Sequence, residues 1–165
     1  MAIEKHPIMN SAYDSSGGIK YNKQINIANA VALEGGLITP TLKNANLRSL
    51  ADLAAEWKEL VAKAKKGALA PHEYQSGTFA ITNLGMFGVS SFEAILPPGL
   101  GSILAIGGTT DAVVPDKNGI LGLKFEKRMT VTITCDHRII YGSDAALFLA
   151  ALAEGLENGV NTIIQ

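Results

Sequence analysis

The strongest periodic pattern of apolar residues lies between Ser49 and Lys66, where they recur every three or four positions. This spacing places them on one face of an α-helix. Ser49 followed by Asp52 resembles a capping box, and Gly67 stands where a helix commonly ends. The pattern predicts an amphipathic helix over residues 49–66. Its expected buried face consists of Leu50, Leu53, Ala54, Trp57, Leu60, Val61 and Ala64.

Alternation of apolar and polar residues between Gln24 and Leu33 predicts a β-strand. The pair Gly35-Gly36 follows it, and residues 37–42 form a second short apolar run. We expect the two segments to form a hairpin. Pro40 cannot donate to a sheet ladder, so its strand is expected at an edge or at a bulge.

The second half of the chain predicts further strands and a final helix. Apolar strands are expected at 78–82 and 102–106, and residues 116–119 carry a hairpin signal. A long return strand follows, with Leu121, Leu123, Phe125, Met129, Val131, Ile133 and Cys135 on one face. A helix over 143–157 is expected to turn Ala145, Phe148, Leu149, Leu152 and Leu156 inward. Because no repeat or linker interrupts the pattern, residues 1–165 are interpreted as one domain.

Composition narrows the class of protein. The chain has 165 residues, 47% of them apolar and 18% charged, which is typical of a globular domain with 17 glycines at its turns. The net charge of −1 predicts neither a nucleic-acid nor a membrane partner. One cysteine excludes an internal disulfide. The first residues resemble the end of a helix rather than a targeting signal, so we expect the chain to begin in mid-domain.

Candidate chemistry is sparse when residues are considered by type alone. The chain carries no nucleophile elbow, phosphate-binding loop or metal-ligand spacing. His6 and His72 lie beside prolines in polar segments that are expected to be exposed. His137 follows a long strand, within Asp136–Gly142. By residue type alone, a histidine at a strand end is more often structural than catalytic.

The segment Asp136–Gly142 resembles the active-site motif of the E2 acyltransferases of 2-oxo acid dehydrogenase complexes, and of chloramphenicol acetyltransferase. That motif is a strand leading into His-x-x-x-Asp-Gly and then a helix. Further segments resemble E2 chains in the same order, at residues 6–10, 25–40, 77–85 and 94–98. The resemblance therefore covers almost the whole chain and implies an E2 catalytic core domain.

Two departures from the family pattern matter. Tyr141 occupies the position that is usually Asp, and with Phe87–Val89 and Phe92–Gly99 it resembles plastid and cyanobacterial pyruvate dehydrogenase E2 chains. The family domain also begins upstream of Met1. The resemblance thus implies an N-terminally incomplete catalytic domain over residues 1–165, without the lipoyl and subunit-binding domains.

The resemblance implies transfer of an acetyl group between the thiols of dihydrolipoamide and coenzyme A. His137 would be the catalytic base, and the Thr82 hydroxyl would bind the oxyanion, although a threonine there could also serve strand propensity alone. Tyr141 could hold the active-site structure, because a phenol can donate or accept a hydrogen bond. Asn83 could shape a turn or contact the pantetheine arm of coenzyme A.

The roles expected of the neighbouring residues are structural. Asp136 and Arg138 are expected to form ion pairs. Cys135 alternates with the apolar residues of its strand and is expected to be a small buried side chain.

The implied fold is the chloramphenicol-acetyltransferase-like α/β sandwich, with a mixed sheet and packed helices in two layers. Family members form trimers with an active site at each subunit interface, and the trimers join into large cages that bind E1 and E3. The implied cofactors are coenzyme A as a substrate and a lipoyl group on a separate domain, without a metal. The implied location is the plastid stroma, with the mitochondrial matrix or bacterial cytoplasm as alternatives.

Three further interpretations stay open. The apolar pair Ile163-Ile164 could join trimers or be buried in its own domain. The chain could also be a free-standing acetyltransferase of the chloramphenicol type, although its flanking segments resemble E2 more closely. It could finally be a non-catalytic scaffold of the cage, an alternative that Tyr141 keeps open.

Overall fold

The computed structural model describes residues 1–117 and 120–158. Its α-helices are α1 (Ala2–Lys5), α2 (Leu50–Lys65), α3 (Pro71–Tyr74) and α4 (Gly142–Asn158). Short 3-10 turns occupy Pro7–Asn10, Ala45–Leu47, Gly85–Phe87 and Ile120–Gly122. The strands are β1 (Ser11–Tyr13), β2 (Ile19–Tyr21), β3 (Ile27–Asn29), β4 (Val31–Leu33), β5 (Gly36–Ile38), β6 (Thr41–Leu42), β7 (Phe79–Asn83), β8 (Ser102–Pro115) and β9 (Leu123–Cys135).

A five-stranded mixed sheet organises the molecule, in the order β6-β3-β7-β8-β9. Strands β3, β7 and β8 are mutually parallel, and the outer strands β6 and β9 are antiparallel to their neighbours. Strands β1 and β2 form a separate antiparallel pair. The mixed sheet with packed helices that the sequence predicted is confirmed.

The strand predicted over residues 24–33 is two strands in the structure. At Ala30 the chain is still bound to the main sheet, because the Ala30 N–H donates to the carbonyl of Ile81 in β7. The chain leaves the sheet after this residue. Strand β4 then pairs with β5 in the predicted hairpin, so that prediction is confirmed. Pro40 is buried just before β6, which is an edge strand of the main sheet, as its missing N–H led us to expect.

Helix α2 begins and ends as predicted. The Ser49 hydroxyl accepts the N–H of Asp52, and Gly67 adopts the left-handed conformation with φ 64°. The predicted buried face is too long, however, because Leu50 and Ala54 are exposed while Leu60 and Ala64 are buried. Helix α2 packs beside the short strands β4 and β6, so only part of its length is in contact with the sheet strands.

Strands β8 and β9 continue beyond the sheet as a two-stranded ribbon. Strand β8 extends well past the predicted end at Ile106, after an irregularity in register between Ile106 and Thr109. The far part of the ribbon has no covering layer within the described residues, so Phe125 is 80% exposed. The predicted hairpin is confirmed by the pairing, although its central residues 118–119 lie outside the described residues.

The core lies between the sheet and α4. Its fully buried cluster consists of Met9, Phe79, Leu104, Ile139, Ile140 and Phe148. The rings of Phe79 and Phe148 lie 5.7 Å apart, which joins α4 to the centre of the sheet. Leu149 and Leu152 face this core as predicted, but Leu156 is 45% exposed because it lies in the last turn of α4. No helix in the described ranges is long and apolar enough to cross a membrane.

Candidate active site

A tight turn carries the candidate base directly after β9. The carbonyl of Asp136 accepts the N–H groups of Ile139 at 3.1 Å and Ile140 at 2.9 Å. This hydrogen-bonding pattern is that of a single helical turn, which places residues four positions apart on one side. His137 and Tyr141 are such a pair, and both are exposed.

Two buried side chains anchor the turn to the core. Ile139 and Ile140 are 4% and 1% exposed, so two of its side chains belong to the hydrophobic cluster. The N–H of Asp136 donates to the carbonyl of Gly101 at 2.9 Å. Gly101 lies so close to the chain at Ser11 that an added Cβ would overlap the Ser11 carbonyl. The backbone around His137 is therefore held by packing that requires glycine at residue 101.

An ion pair fixes the residues that flank His137. The Arg138 guanidinium donates to both carboxylate oxygens of Asp136, at 2.9 and 2.6 Å. These charge-assisted bonds lower the pKa of the Asp136 carboxyl and raise the pKa of Arg138. The guanidinium also lies 3.8 Å from the ring centroid of Tyr13. This geometry supports the structural role expected of both charged residues.

Tyr141 sits between His137 and α4. Its ring centroid is 5.7 Å from that of His137, and the two planes meet at 80°. The Tyr141 N–H donates to a carboxylate oxygen of Asp144 at 3.0 Å. Asp144 lies in the first turn of α4, where a carboxylate is favoured by the helix dipole. Sequence reasoning did not single out Asp144, although an acidic residue three positions after a helix-capping position is a recognisable signal.

The other histidines lie elsewhere. His72 is exposed on α3, as expected. His6 is half-buried at the end of α1, so the expectation that it is exposed was wrong. The N–H of His6 caps α1 by donating to the carbonyl of Ala2.

Thr82 and Asn83 stand at the end of β7. Ile81 packs against the core beneath α4, so alternation turns Thr82 to the other face. The Asn83 side-chain oxygen accepts the N–H of Gly85 at 2.8 Å and thereby shapes the turn. Both residues line a cavity of about 510 Å³, together with Trp57 and other mainly apolar side chains of α2, β4, β5 and the turn after β7. Sequence reasoning missed this cavity because its walls come from distant segments.

Within one chain, Thr82 and His137 do not meet. Thr82 is in register with Ala105 of β8, which is in register with Thr132 of β9. The end of β9 at Cys135 is therefore about 10 Å away along the strands and about 10 Å across them. The two residues therefore lie at separate places in one chain.

Cys135 precedes the turn and is half-buried against the core. Burial raises the pKa of its thiol, while the Ser102 hydroxyl lies 3.7 Å from the sulfur. A thiol with a raised pKa is a poor nucleophile at neutral pH. Cys135 is thus a packing residue, in agreement with its place in the apolar face of β9. Within the described part of the chain, no group of three or more His, Cys, Asp or Glu side chains could hold a metal ion.

Comparison with known proteins places this geometry in a family. A family model for the 2-oxoacid dehydrogenases acyltransferase (catalytic domain) matches residues 1–164. The chain belongs to this family. It is 51% identical over 158 residues to the chloroplastic dihydrolipoyllysine-residue acetyltransferase component 4 of the pyruvate dehydrogenase complex of Arabidopsis thaliana, covering 96% of this chain and 32% of the relative. Component 5 from the same plant is 49% identical, with 96% and 34% covered.

Solved structures of this acyltransferase family share the fold. The cubic core of the pyruvate dehydrogenase multienzyme complex superposes with a TM-score of 0.90 at 29% identity, covering 99% of this chain and 66% of that one. Azotobacter vinelandii dihydrolipoamide acetyltransferase gives 0.90 at 28% identity, with the same coverage. Chloramphenicol acetyltransferase gives 0.56 at 14% identity, covering 94% and 72%, which concerns the fold alone. The predicted fold class is confirmed. The chain spans about a third of the length of its curated relatives.

Proposed function

We propose that this chain transfers an acetyl group between dihydrolipoamide and coenzyme A, as part of the core of a pyruvate dehydrogenase complex. The observation that carries the proposal is the exposed imidazole of His137 on a turn whose backbone is fixed on both sides. The similarity to acetyltransferase components of pyruvate dehydrogenase complexes supports the same reaction.

His137 acts as the general base in this proposal. The pKa of a free thiol is about 8.5, so the attacking thiol is mostly protonated at neutral pH. A neutral imidazole accepts that proton as the sulfur attacks the thioester carbonyl. When the tetrahedral intermediate collapses, the original carbon–sulfur bond breaks and the departing thiolate takes the proton back from the imidazolium. Asp136 and Arg138 flank His137 in sequence and form an ion pair with each other. This pair keeps the backbone of the turn in place during the proton transfer.

Thr82 stabilises the charge that the attack creates. The carbonyl oxygen of the thioester becomes an oxyanion, and a fixed hydroxyl can donate a hydrogen bond to it. Thr82 offers this hydroxyl at the edge of an open, mostly apolar cavity that can receive a thioester and its arm. Asn83 uses its oxygen for Gly85, which leaves its amide nitrogen as the donor for the pantetheine arm.

The proposal includes a closed assembly. Thr82 and His137 lie at separate places in one chain, and exposed apolar side chains at Met86 and Phe87 flank the Thr82 cavity. A trimer in which His137 of one chain faces Thr82 of the next accounts for both features. Similarity to a cubic pyruvate dehydrogenase core supports the further step from trimers to a cage.

The proposal extends to the other components of such a complex. The lipoyl group is carried by a domain outside residues 1–165, and the E1 and E3 components bind the assembled complex. The chloroplastic relatives support a plastid location.

The decisive experiment measures acetyl transfer from acetyl-CoA to free dihydrolipoamide, with chloramphenicol as a second acceptor. We expect transfer to dihydrolipoamide only, and we expect His137→Ala to lower it by about 10²-fold or more. His72→Ala is the matched control, because His72 is exposed on α3, and it should keep full activity.

Each other outcome has a distinct meaning. Transfer to chloramphenicol would identify a free-standing acetyltransferase. Assembled particles without any transfer would identify a scaffold. Equal losses in His137→Ala and His72→Ala would mean that folding rather than chemistry had been measured.

A further inference from the structure

Tyr141 contacts the candidate base through its ring. The two ring centroids are 5.7 Å apart and the planes meet at 80°, which is an edge-to-face arrangement within the favourable range for aromatic pairs. An aspartate, which the resembling motif has at this position, has no ring with which to make such a contact. In this chain an aromatic ring, rather than a carboxylate, therefore contacts the His137 imidazole.

The Tyr141 backbone is held by the first turn of α4. Its N–H donates to Asp144 at 3.0 Å, and its carbonyl accepts the N–H groups of Asp144 at 3.0 Å and Ala145 at 3.2 Å. These bonds join it to the first turn of α4, and α4 is anchored in the core by Phe148, which is 2% exposed. The backbone from which the ring projects is thus tied to the core.

His137 has fewer restraints of its own. It is exposed, and it lies in the middle of the turn, between the ion-paired side chains of Asp136 and Arg138. Those contacts fix its backbone but leave the rotation of the imidazole open. The ring of Tyr141 lies beside the imidazole and can restrict that rotation.

We propose that Tyr141 is a positioning residue whose aromatic ring, rather than its hydroxyl, holds the His137 imidazole in the orientation needed for proton transfer. The inference rests on the proposed function, in which His137 is the base. An edge-to-face contact is strong enough to change the population of a rotamer by about three- to tenfold. Because Tyr141 is 60% exposed, the effect on rate should lie within that range rather than above it.

The test compares Tyr141→Phe, which keeps the ring, with Tyr141→Leu, which removes it. We expect Tyr141→Phe to keep kcat within about twofold of wild type, and Tyr141→Leu to lower kcat about three- to tenfold. The KM for each substrate should stay unchanged in both. Phe125→Leu removes an exposed ring far out on the β8–β9 ribbon and is the matched control.

Two further measurements separate positioning from other causes. Thermal unfolding should be the same for wild type and both Tyr141 variants, since the side chain is mostly exposed. In a His137→Ala background, Tyr141→Leu should cause no further loss, because a residue that acts through His137 has nothing left to position.

The outcomes distinguish the failure of this inference from that of the proposed function. If His137→Ala keeps its activity, the base is wrong and the proposed function fails. If His137→Ala is inactive while Tyr141→Leu equals wild type, the positioning role alone is wrong. An equal loss in Tyr141→Phe and Tyr141→Leu would show that the hydroxyl is needed, which would overturn the role of the ring.

Discussion

Thr82 is the residue whose proposed role depends most on a single atom. Valine has nearly the shape of threonine and lacks the hydroxyl, so Thr82→Val removes the donor while keeping the strand. If the hydroxyl binds the oxyanion, kcat should fall about 10²-fold with little change in KM. Steady-state kinetics with acetyl-CoA and dihydrolipoamide provide the measurement.

The matched control for Thr82→Val is Thr109→Val, because Thr109 is an exposed threonine of β8 that lies outside the cavity. It should behave as wild type. A change confined to KM in Thr82→Val would move Thr82 from the oxyanion to substrate binding.

For individual residues, the sequence predicted the structure correctly where the interacting groups lie close together in the chain. His137 could be found from the strand before it and the motif around it. The capping contact of Ser49 could be found because both partners lie within one turn. The contact between Asp136 and Gly101 and the stacking of Arg138 on Tyr13 could not, since each joins segments that are distant in sequence.

The turn between β9 and α4 is the element on which the site depends, and Gly101, directly before β8, supports it. A Cβ on Gly101 would overlap the Ser11 carbonyl and press on the side chain of Ile140. We expect Gly101→Ala to destabilise the protein by about 1–3 kcal/mol and to lower activity by displacing the turn. Thermal unfolding and the acetyl transfer assay measure the two effects.

Gly18→Ala is the control for Gly101→Ala. Nothing lies within 4 Å of a Cβ placed on Gly18, and its backbone is not in the left-handed region. Its stability and activity should match those of wild type. If Gly101→Ala were equally stable, the close approach of the two segments would not be what anchors the turn.

The elements themselves were predictable to different degrees. Helix α2 carries its own caps and the β4–β5 hairpin its own glycine turn, so the helix bounds and the place of the hairpin turn followed from local pattern. The division of residues 24–33 into β3 and β4 depends on which partner strands are nearby, and the sequence does not contain that information in local form. The exposure of the β8–β9 ribbon likewise depends on how far the covering layer extends.

At the scale of the whole molecule, the two halves of the proposed site lie at different places in one chain. Thr82 lies on the face away from α4, while His137 precedes α4 at the end of β9. Exposed apolar residues occur on the surface near Thr82, namely Met86 at 80% and Phe87 at 66%. One exposed apolar residue is unremarkable, but a group beside a candidate site is typical of an interface.

A mixing experiment tests whether the site is shared between chains. A His137→Ala chain still supplies Thr82, and a Thr82→Val chain still supplies His137. If each site unites residues of two chains, co-refolding equal amounts of the two inactive variants should make about one quarter of the interfaces fully wild type. Activity should then rise well above that of either variant alone, reaching a comparable fraction of the wild-type value in the acetyl transfer assay.

The absence of any recovery in the mixture would contradict a shared site. If His137 and Thr82 of the same chain served one site, every site in every mixture would lack one of the two residues. No mixing ratio could then exceed the weighted mean of the two parents. Refolding each variant by itself gives the baseline for that mean, and co-purification of a tagged His137→Ala chain with an untagged Thr82→Val chain shows whether the two variants share one particle. Recovery of activity only in the mixture of the two variants would leave a shared site as the explanation, since neither variant alone contains both groups.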